Sequence, residues 1–486
     1  MMRKYPFAIL FFLLCFIVLT TNAFPQSFNK IKAKAAKGDV RAQYELGVMY
    51  AEGKKVKQDL AQAKAWWEKA AAKGHTGAEY NLGVMYAEGK GVTQDLAQAK
   101  AWYEKAAARK DSRALYELGV MYAEGKGVPQ DFAKAKPLFE KAAAAGHGGA
   151  QYNLGVMYAE GKGVPQDLDQ AKAWWEKAAK QGDARAQYEL GVLYLEGKGV
   201  KQDYALAKAW FEKAGVQGYA GAQYNLGLLY AGGKGVKQDL AVAKAWFEKA
   251  GKQGDARAQY ELGVMYLEGQ GVKQDYVLAK EWFEKAGAQG NGGAQYNLGL
   301  LYAEGKGTTQ DYAQAKDWFD KAAAQGDARA QYELGVLYLE GHGVMKDYAQ
   351  AKDWFDKAAA QGYVGAQYNL GVLYAGGRGV KQDYAQAKAW FEKAAAQEDA
   401  RAQYELGVLY FEGQGVKKDY AQAKAWFEKA AALEDARAQY YLGLMYAKGE
   451  GVDRDFAKAK AWFEKAAAHG HIAAKKELSI LLGGKP

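Results

Sequence analysis

The sequence predicts an all-α fold, a solenoid of stacked helix-turn-helix units. Three observations lead there. The pair Leu-Gly recurs every 36 residues, from Leu46 to Leu442, twelve times without insertion. Each unit carries two stretches with helical hydrophobic periodicity. Between them lies a Gly-x-Gly-Val loop ending in Asp. Such a unit cannot bury its apolar side alone, so neighbours must supply the core by stacking.

The chain of 486 residues begins with "MMRKYPFAILFFLLCFIVLTTNAFPQS". Arg3 and Lys4 precede an apolar run from Phe7 to Leu19, and Thr21 and Ala23 are small residues before Phe24. This pattern predicts a cleaved secretory signal over residues 1–23. The apolar run is short for a bilayer span, which takes roughly 20 residues, so no stable membrane span is expected after cleavage. A lipoprotein reading needs a small residue before Cys15, and Leu14 stands there. Cys15 is the only cysteine, so the mature chain has no disulfide and depends on packing. An exported protein, periplasmic or secreted, is expected.

Residues 24–38 read as a half-repeat cap, because "FNKIKAKAAKG" resembles the end of a second helix. Residues 39–470 hold the twelve units. Residues 471–486 read as a matching half-repeat with Ser479 in place of the glycine.

The fifth unit shows the expected parts. Its first helix, helix A, spans about Ala184 to Glu196, with Ala186, Leu190, Leu193 and Tyr194 on one face. Gly197 stops it. Asp203 caps the second helix, helix B, and its equivalent is Asp in all twelve units. A Gln three residues on, as in "DLAQ" and "DYAQ", suggests a capping box. Helix B buries Ala207, Phe211 and Ala214, while Lys208, Glu212 and Lys213 face water. Gly191 sits inside helix A at a cost of about 1 kcal/mol. Its presence in every unit predicts close approach of a neighbouring helix to its bare backbone.

This pattern, "AQYELGVLYLEGKGVKQDYALAKAWFEKA" from Ala186 to Ala214, resembles the Sel1-like repeat. It differs from the 34-residue tetratricopeptide repeat in its Gly-x-Gly-Val loop and Leu-Gly pair. The resemblance covers nearly the whole mature chain and implies an α/α right-handed superhelix. It also implies an adaptor for macromolecular assembly, as is typical of the family, many of whose bacterial members are exported. One exported branch of the family carries a disulfide in each repeat, and this chain departs from that branch.

Catalytic motifs are weak. The GKG loops lack the spacing and the Ser or Thr of a phosphate-binding loop. "SFNK" matches S-x-x-K of penicillin-recognising enzymes, but S-D-N and K-T-G are missing. His469 and His471 fall short of the roughly four ligands of structural zinc and read as loop surface. His75 and His147 share a variable junction position. The recurrent helix B aromatics read as core. No catalytic, cofactor or metal site is expected, and hydrolase activity is the third and weakest reading.

Binding residues are sought where the units differ. Arg185, Glu189, Val192 and Glu196 fall within about 60° of one another on helix A, away from the core. Arg/Glu at one unit alternates with Gly/Asn at the next, as in Gly221/Asn225, so the true period is 72 residues. Helix A commonly lines the concave, ligand-binding side of a solenoid. A protein or peptide partner is therefore expected there, on Arg185, Tyr188, Glu189, Glu196, Asn225, Arg257, Tyr260, Glu261, Glu268, Asn297, Arg329 and Glu333. The charged units would form ridges between small, amide-lined notches, although duplication history alone also explains the alternation. Arg185 and Glu189 have the spacing of an i, i+4 pair. Tyr440 and Tyr441 suggest an aromatic patch in the last unit. The net charge of +10 and the loop lysines Lys54, Lys90, Lys126, Lys162, Lys198, Lys234 and Lys306 open a second reading, an anionic glycan or envelope surface. Export argues against nucleic acid.

Overall fold

A computed structural model describes residues 28–481; the expected signal segment and the last five residues lie outside them. Among the described residues there are 26 helices and no strands. The protein divides between Asp239 and Leu240 into two compact units. Within each unit, helices pack against their sequence neighbours as an α/α solenoid.

The fifth repeat folds with helix A at Ala184–Glu196 and helix B at Tyr204–Val216. Gly197 takes the left-handed conformation at φ 70° and returns its N–H to Leu193 O. The loop closes over two further bonds. Gln202 Nε2 donates to Leu195 O at 2.8 Å, and Asp203 N donates to Tyr194 O at 2.9 Å. The second bond uses the N–H that a capping box would leave for Gln. Asp203 instead works through its carboxylate, accepting from the amides of Ala205 and Leu206.

Helix B of each repeat buries one large ring. Phe211 is fully buried, and its face lies on Gly191, where an added Cβ would stand 2.5 Å from Cε1. The neighbouring helix expected against the bare backbone of Gly191 is thus helix B of the same repeat, and it makes the contact with its ring. Trp67, Tyr103, Phe139 and Trp175 fill the same place in the first four repeats. The preceding aromatic, Trp210, is half-buried, and Lys213 lies 4.1 Å above its ring. The other expected surface residues pair, Lys208 Nζ with Glu212 at 2.7 Å.

A buried polar contact also ties repeats together, and sequence patterning missed it. Gln187 is 5% exposed; its Nε2 donates to Ala179 O, and its Oε1 accepts from Gln217 Nε2 at 2.8 Å. The same contact joins Gln289 to Gln259 and Gln361 to Gln331. Where Leu433 replaces the donor, Gln403 Oε1 is left without a partner. In the second repeat the pair becomes Arg109 and Glu79. The signal was in the sequence, as a correlated change at positions 30 residues apart.

A single helix lies at each end of the described residues. Phe28–Ala36 packs Ile31 and Ala35 against Ala42 and Leu46, and Ile472–Leu481 packs Ala474 against Ala459 and Phe463.

Candidate functional site: the open face of helix A

Within each unit the tyrosine of helix A sits at the junctions between repeats, and what covers it alternates up to the eleventh repeat. In odd-numbered repeats the N-cap of helix A is Asp, and Arg follows two residues on. Asp183 accepts from Arg185 Nε at 3.2 Å and Nη2 at 2.6 Å. The guanidinium held this way stacks on Tyr152 of the preceding repeat, 4.3 Å from its centroid. Arg329 does the same with Asp327 and Tyr296, and Arg401 with Asp399 and Tyr368. The expected i, i+4 pairing of Arg with Glu occurs in the first repeat, Arg41 with Glu45 at 2.9 Å. From Arg113 onward the cap aspartate captures the arginine instead, because a short carboxylate at the N-cap reaches both the amides and the guanidinium.

In even repeats up to the tenth the cap is His, Tyr or Asn, and Gly replaces Arg; the twelfth returns to Asp435 and Arg437. His75 and His147 are therefore N-caps, not merely variable junction residues: each Nδ1 accepts from a backbone N–H at 3.2 Å. Their rings stack on Tyr44 and Tyr116 at 4.3 and 4.4 Å. Tyr219 and Tyr363 lie on Tyr188 and Tyr332 at 4.9 Å without capping. The glycine is required by the tyrosine below it. A Cβ at Gly293 would stand 2.9 Å from Tyr260 Cε2. The notches expected between charged ridges are thus filled by the preceding tyrosine. His471, expected on a loop surface, caps the last helix and stacks on Tyr440 at 4.4 Å, while His469 meets Gln439 Oε1 at 3.0 Å. No group of three potential metal ligands exists among the described residues.

These histidines make a pH-dependent junction. Burial holds His147 down to about 4, with Asp111, Arg113, Arg185 and Tyr116 around it. An unfolded histidine titrates near 6.5. Between those values the unfolded chain binds a proton that the folded cap refuses, so stability is lost as pH falls from about 6.5 toward 4. The variant His147→Asn, which copies the natural cap Asn291, should melt progressively higher than the parent as pH is lowered from 7 to 5.

The expected site residues separate into two groups. Tyr188 and Asn225 are 5% and 8% exposed and belong to junction packing rather than to an open surface. Tyr260 is half-buried against Phe283, and the Asn297 amide faces its hydroxyl. Arg185 is largely enclosed; Arg257 and Arg329 are more open, each bound to its cap aspartate at 2.6 Å. On the open face stand Glu189, Glu261 and Glu333, all half-buried, with Glu196 and Glu268 exposed at the helix ends. Burial, then the charges of Glu304 and Glu340, raises the Glu333 carboxyl to about 7; burial also raises Glu261. Beside this row runs a stripe of half-buried residues, Val264, Leu300, Val336, Val372 and Val408 in the second unit. Tyr441 takes the glutamate position in the last repeat. It stacks on Phe427 at 5.0 Å and meets Phe411 edge-on at 5.5 Å, closing the row with an aromatic cluster.

The lysine edge is largely neutralised. Lys54, Lys90, Lys126, Lys162, Lys198 and Lys306 each pair with the glutamate two residues before, at 2.5–2.7 Å. Lys234 faces Gly232 instead of a glutamate. No helix of the described residues is long and apolar enough to cross a membrane.

Fold and open face together define an α-solenoid repeat protein, a class that binds along one continuous surface. The chain belongs to the Sel1 repeat family, whose pattern matches twelve successive segments from residues 40–75 to 436–471. It is similar to the crystal structure of a protective antigen of uropathogenic Escherichia coli with the same repeat fold. The two are 38% identical with TM-score 0.80, covering 93% of this chain and 97% of that one. It is also similar to a Sel1 repeat protein of Oxalobacter formigenes, 35% identical with TM-score 0.52 over 64% of this chain and 90% of that one. No curated protein matches it. The Sel1 solenoid is commonly a protein-interaction scaffold and generally non-enzymatic.

Proposed function

We propose that this chain is an exported, non-enzymatic scaffold that binds a protein or peptide along the concave, helix A side of its solenoid. One observation carries the reading. Helix A repeats a half-buried apolar stripe beside a row of carboxylates, while helix B spends its aromatic and charged residues on internal contacts. The leader supports export, and so does the description of the similar E. coli protein as a protective antigen. Pairing of the loop lysines removes the main support for an anionic glycan or envelope surface.

A photo-reactive amino acid at Val264, Val336 or Val408 tests this in the native host. The same probe at Glu281 or Asp317, on the exposed side of helix B, is the control. Specific protein adducts are expected from the helix A positions and not from helix B. Adducts from helix B alone, or from neither, would overturn the reading.

A further inference from the structure

We infer that the open helix A face of repeats seven to eleven takes a basic partner segment, one whose cationic side chains alternate with small apolar ones. The inference rests on the scaffold reading and names its partner chemistry.

The charge on this face runs against the charge of the chain. The protein as a whole carries +10. In the first unit each glutamate ending helix A is matched by a lysine two residues on, at Glu52, Glu88, Glu124, Glu160 and Glu196. In the second unit that match is kept only at Glu304 and Lys306 among the glutamates of repeats seven to eleven. Glu268 and Glu412 meet Gln270 and Gln414, and Glu340 meets His342 at 3.0 Å. The arginines of the same helices do not compensate, because Asp255, Asp327 and Asp399 hold Arg257, Arg329 and Arg401. Glu261, Glu333 and Glu405 therefore stand at two-repeat intervals beside the Val/Leu stripe. Of these three, Glu405 has a cation near it, Arg437 at 3.8 Å, and that arginine is bound more closely by Asp435.

A half-buried carboxylate without a cation is unfavourable in the free protein, and burial raises the affinity of all three for a proton. A bound lysine or arginine removes that penalty, whereas an anionic partner increases it. Asn297 and Asn369 replace the glutamate in the intervening repeats, so the acceptors alternate with neutral amides along the face. Leu300 and Val372 occupy the stripe there, half-buried and packed at one edge against the adjoining cores.

The test uses the mature protein and a fluorescein-labelled peptide of alternating Lys and Ala, with a Glu/Ala peptide as its anionic twin. Fluorescence anisotropy should show binding of the basic peptide alone, weakening steeply as salt is raised. The triple variant Glu261→Gln, Glu333→Gln, Glu405→Gln should bind at least about tenfold more weakly, a loss of about 1.4 kcal/mol. The triple variant Glu124→Gln, Glu160→Gln, Glu196→Gln, where lysines already stand opposite, should change affinity less than about twofold. Equal binding of the anionic twin, salt-independent binding, or unchanged affinity in the first variant would overturn the inference. No binding of the basic peptide overturns it as well. If helix A photo-adducts persist in that case, the scaffold reading stands with another partner; if they are absent, both fall.

Discussion

Replacing Phe319 by Ala is expected to cost about 3–5 kcal/mol, the largest single loss we predict in the array. The ring is 1% exposed and is the large side chain of the core shared by the eighth and ninth repeats, among Ala315, Ala322, Ala330, Leu334 and Leu337. Its face rests on Gly299, where a Cβ would stand 2.3 Å from Cε1. Gly299→Ala alone should therefore destabilise despite its better helix propensity. Overpacking costs typically 1–3 kcal/mol against a propensity gain near 1. Combined with Phe319→Leu, the same methyl group enters space the ring has left. The double variant should then be more stable than the sum of the single changes by about 0.5 kcal/mol or more. Urea unfolding of the four proteins checks this. Strict additivity would show that ring and glycine do not share one contact.

The second large effect is expected at a junction. Arg185→Ala should remove about 2 kcal/mol of coupling between the fourth and fifth repeats. The arginine side chain is 15% exposed, bound to Asp183 and stacked on Tyr152, so both contacts act away from solvent. Lysine should not rescue it, since a point charge supplies neither the fork nor the plane. Arg41→Ala is the internal control. That side chain is 81% exposed and pairs only with Glu45, a contact worth about 0.3–0.5 kcal/mol. Because stability in a repeat array is a sum of repeat and interface terms, the loss should appear as a broadened or split unfolding transition. A single sharp transition with an unchanged midpoint would contradict the junction role.

These two cases also show how much the sequence made legible. The elements of the fifth repeat fall where periodicity places them, because the stop glycine and the cap aspartate act locally. Gly191 was recognisable as a close contact, but its partner Phe211 lies across the loop, and a helical wheel of one helix does not contain it. The contacts of the outward helix A residues were less legible for the same reason. Asp183 sits outside the helix whose wheel places Arg185 beside Glu189, so the wrong carboxylate was paired. Tyr152 and Gly221 meet their partners only across a repeat boundary. The 72-residue alternation carried that information: Asp, Arg and Glu change together to Tyr, Gly and Asn. Read as one junction rather than as separate surface positions, it describes how adjacent repeats cover a shared tyrosine. What remains for a partner is the carboxylate row and the Val/Leu stripe, with the arginines fixed in place beside them.

That division can be tested by carboxyl footprinting with carbodiimide and glycine ethyl ester, on the free protein and on its complex with a captured partner. Binding to the helix A face predicts that Glu261, Glu333 and Glu405 lose reactivity on complex formation, while Glu248 and Glu284 on helix B label unchanged. Protection of Glu248 and Glu284, with the helix A glutamates as reactive as in the free protein, would contradict it.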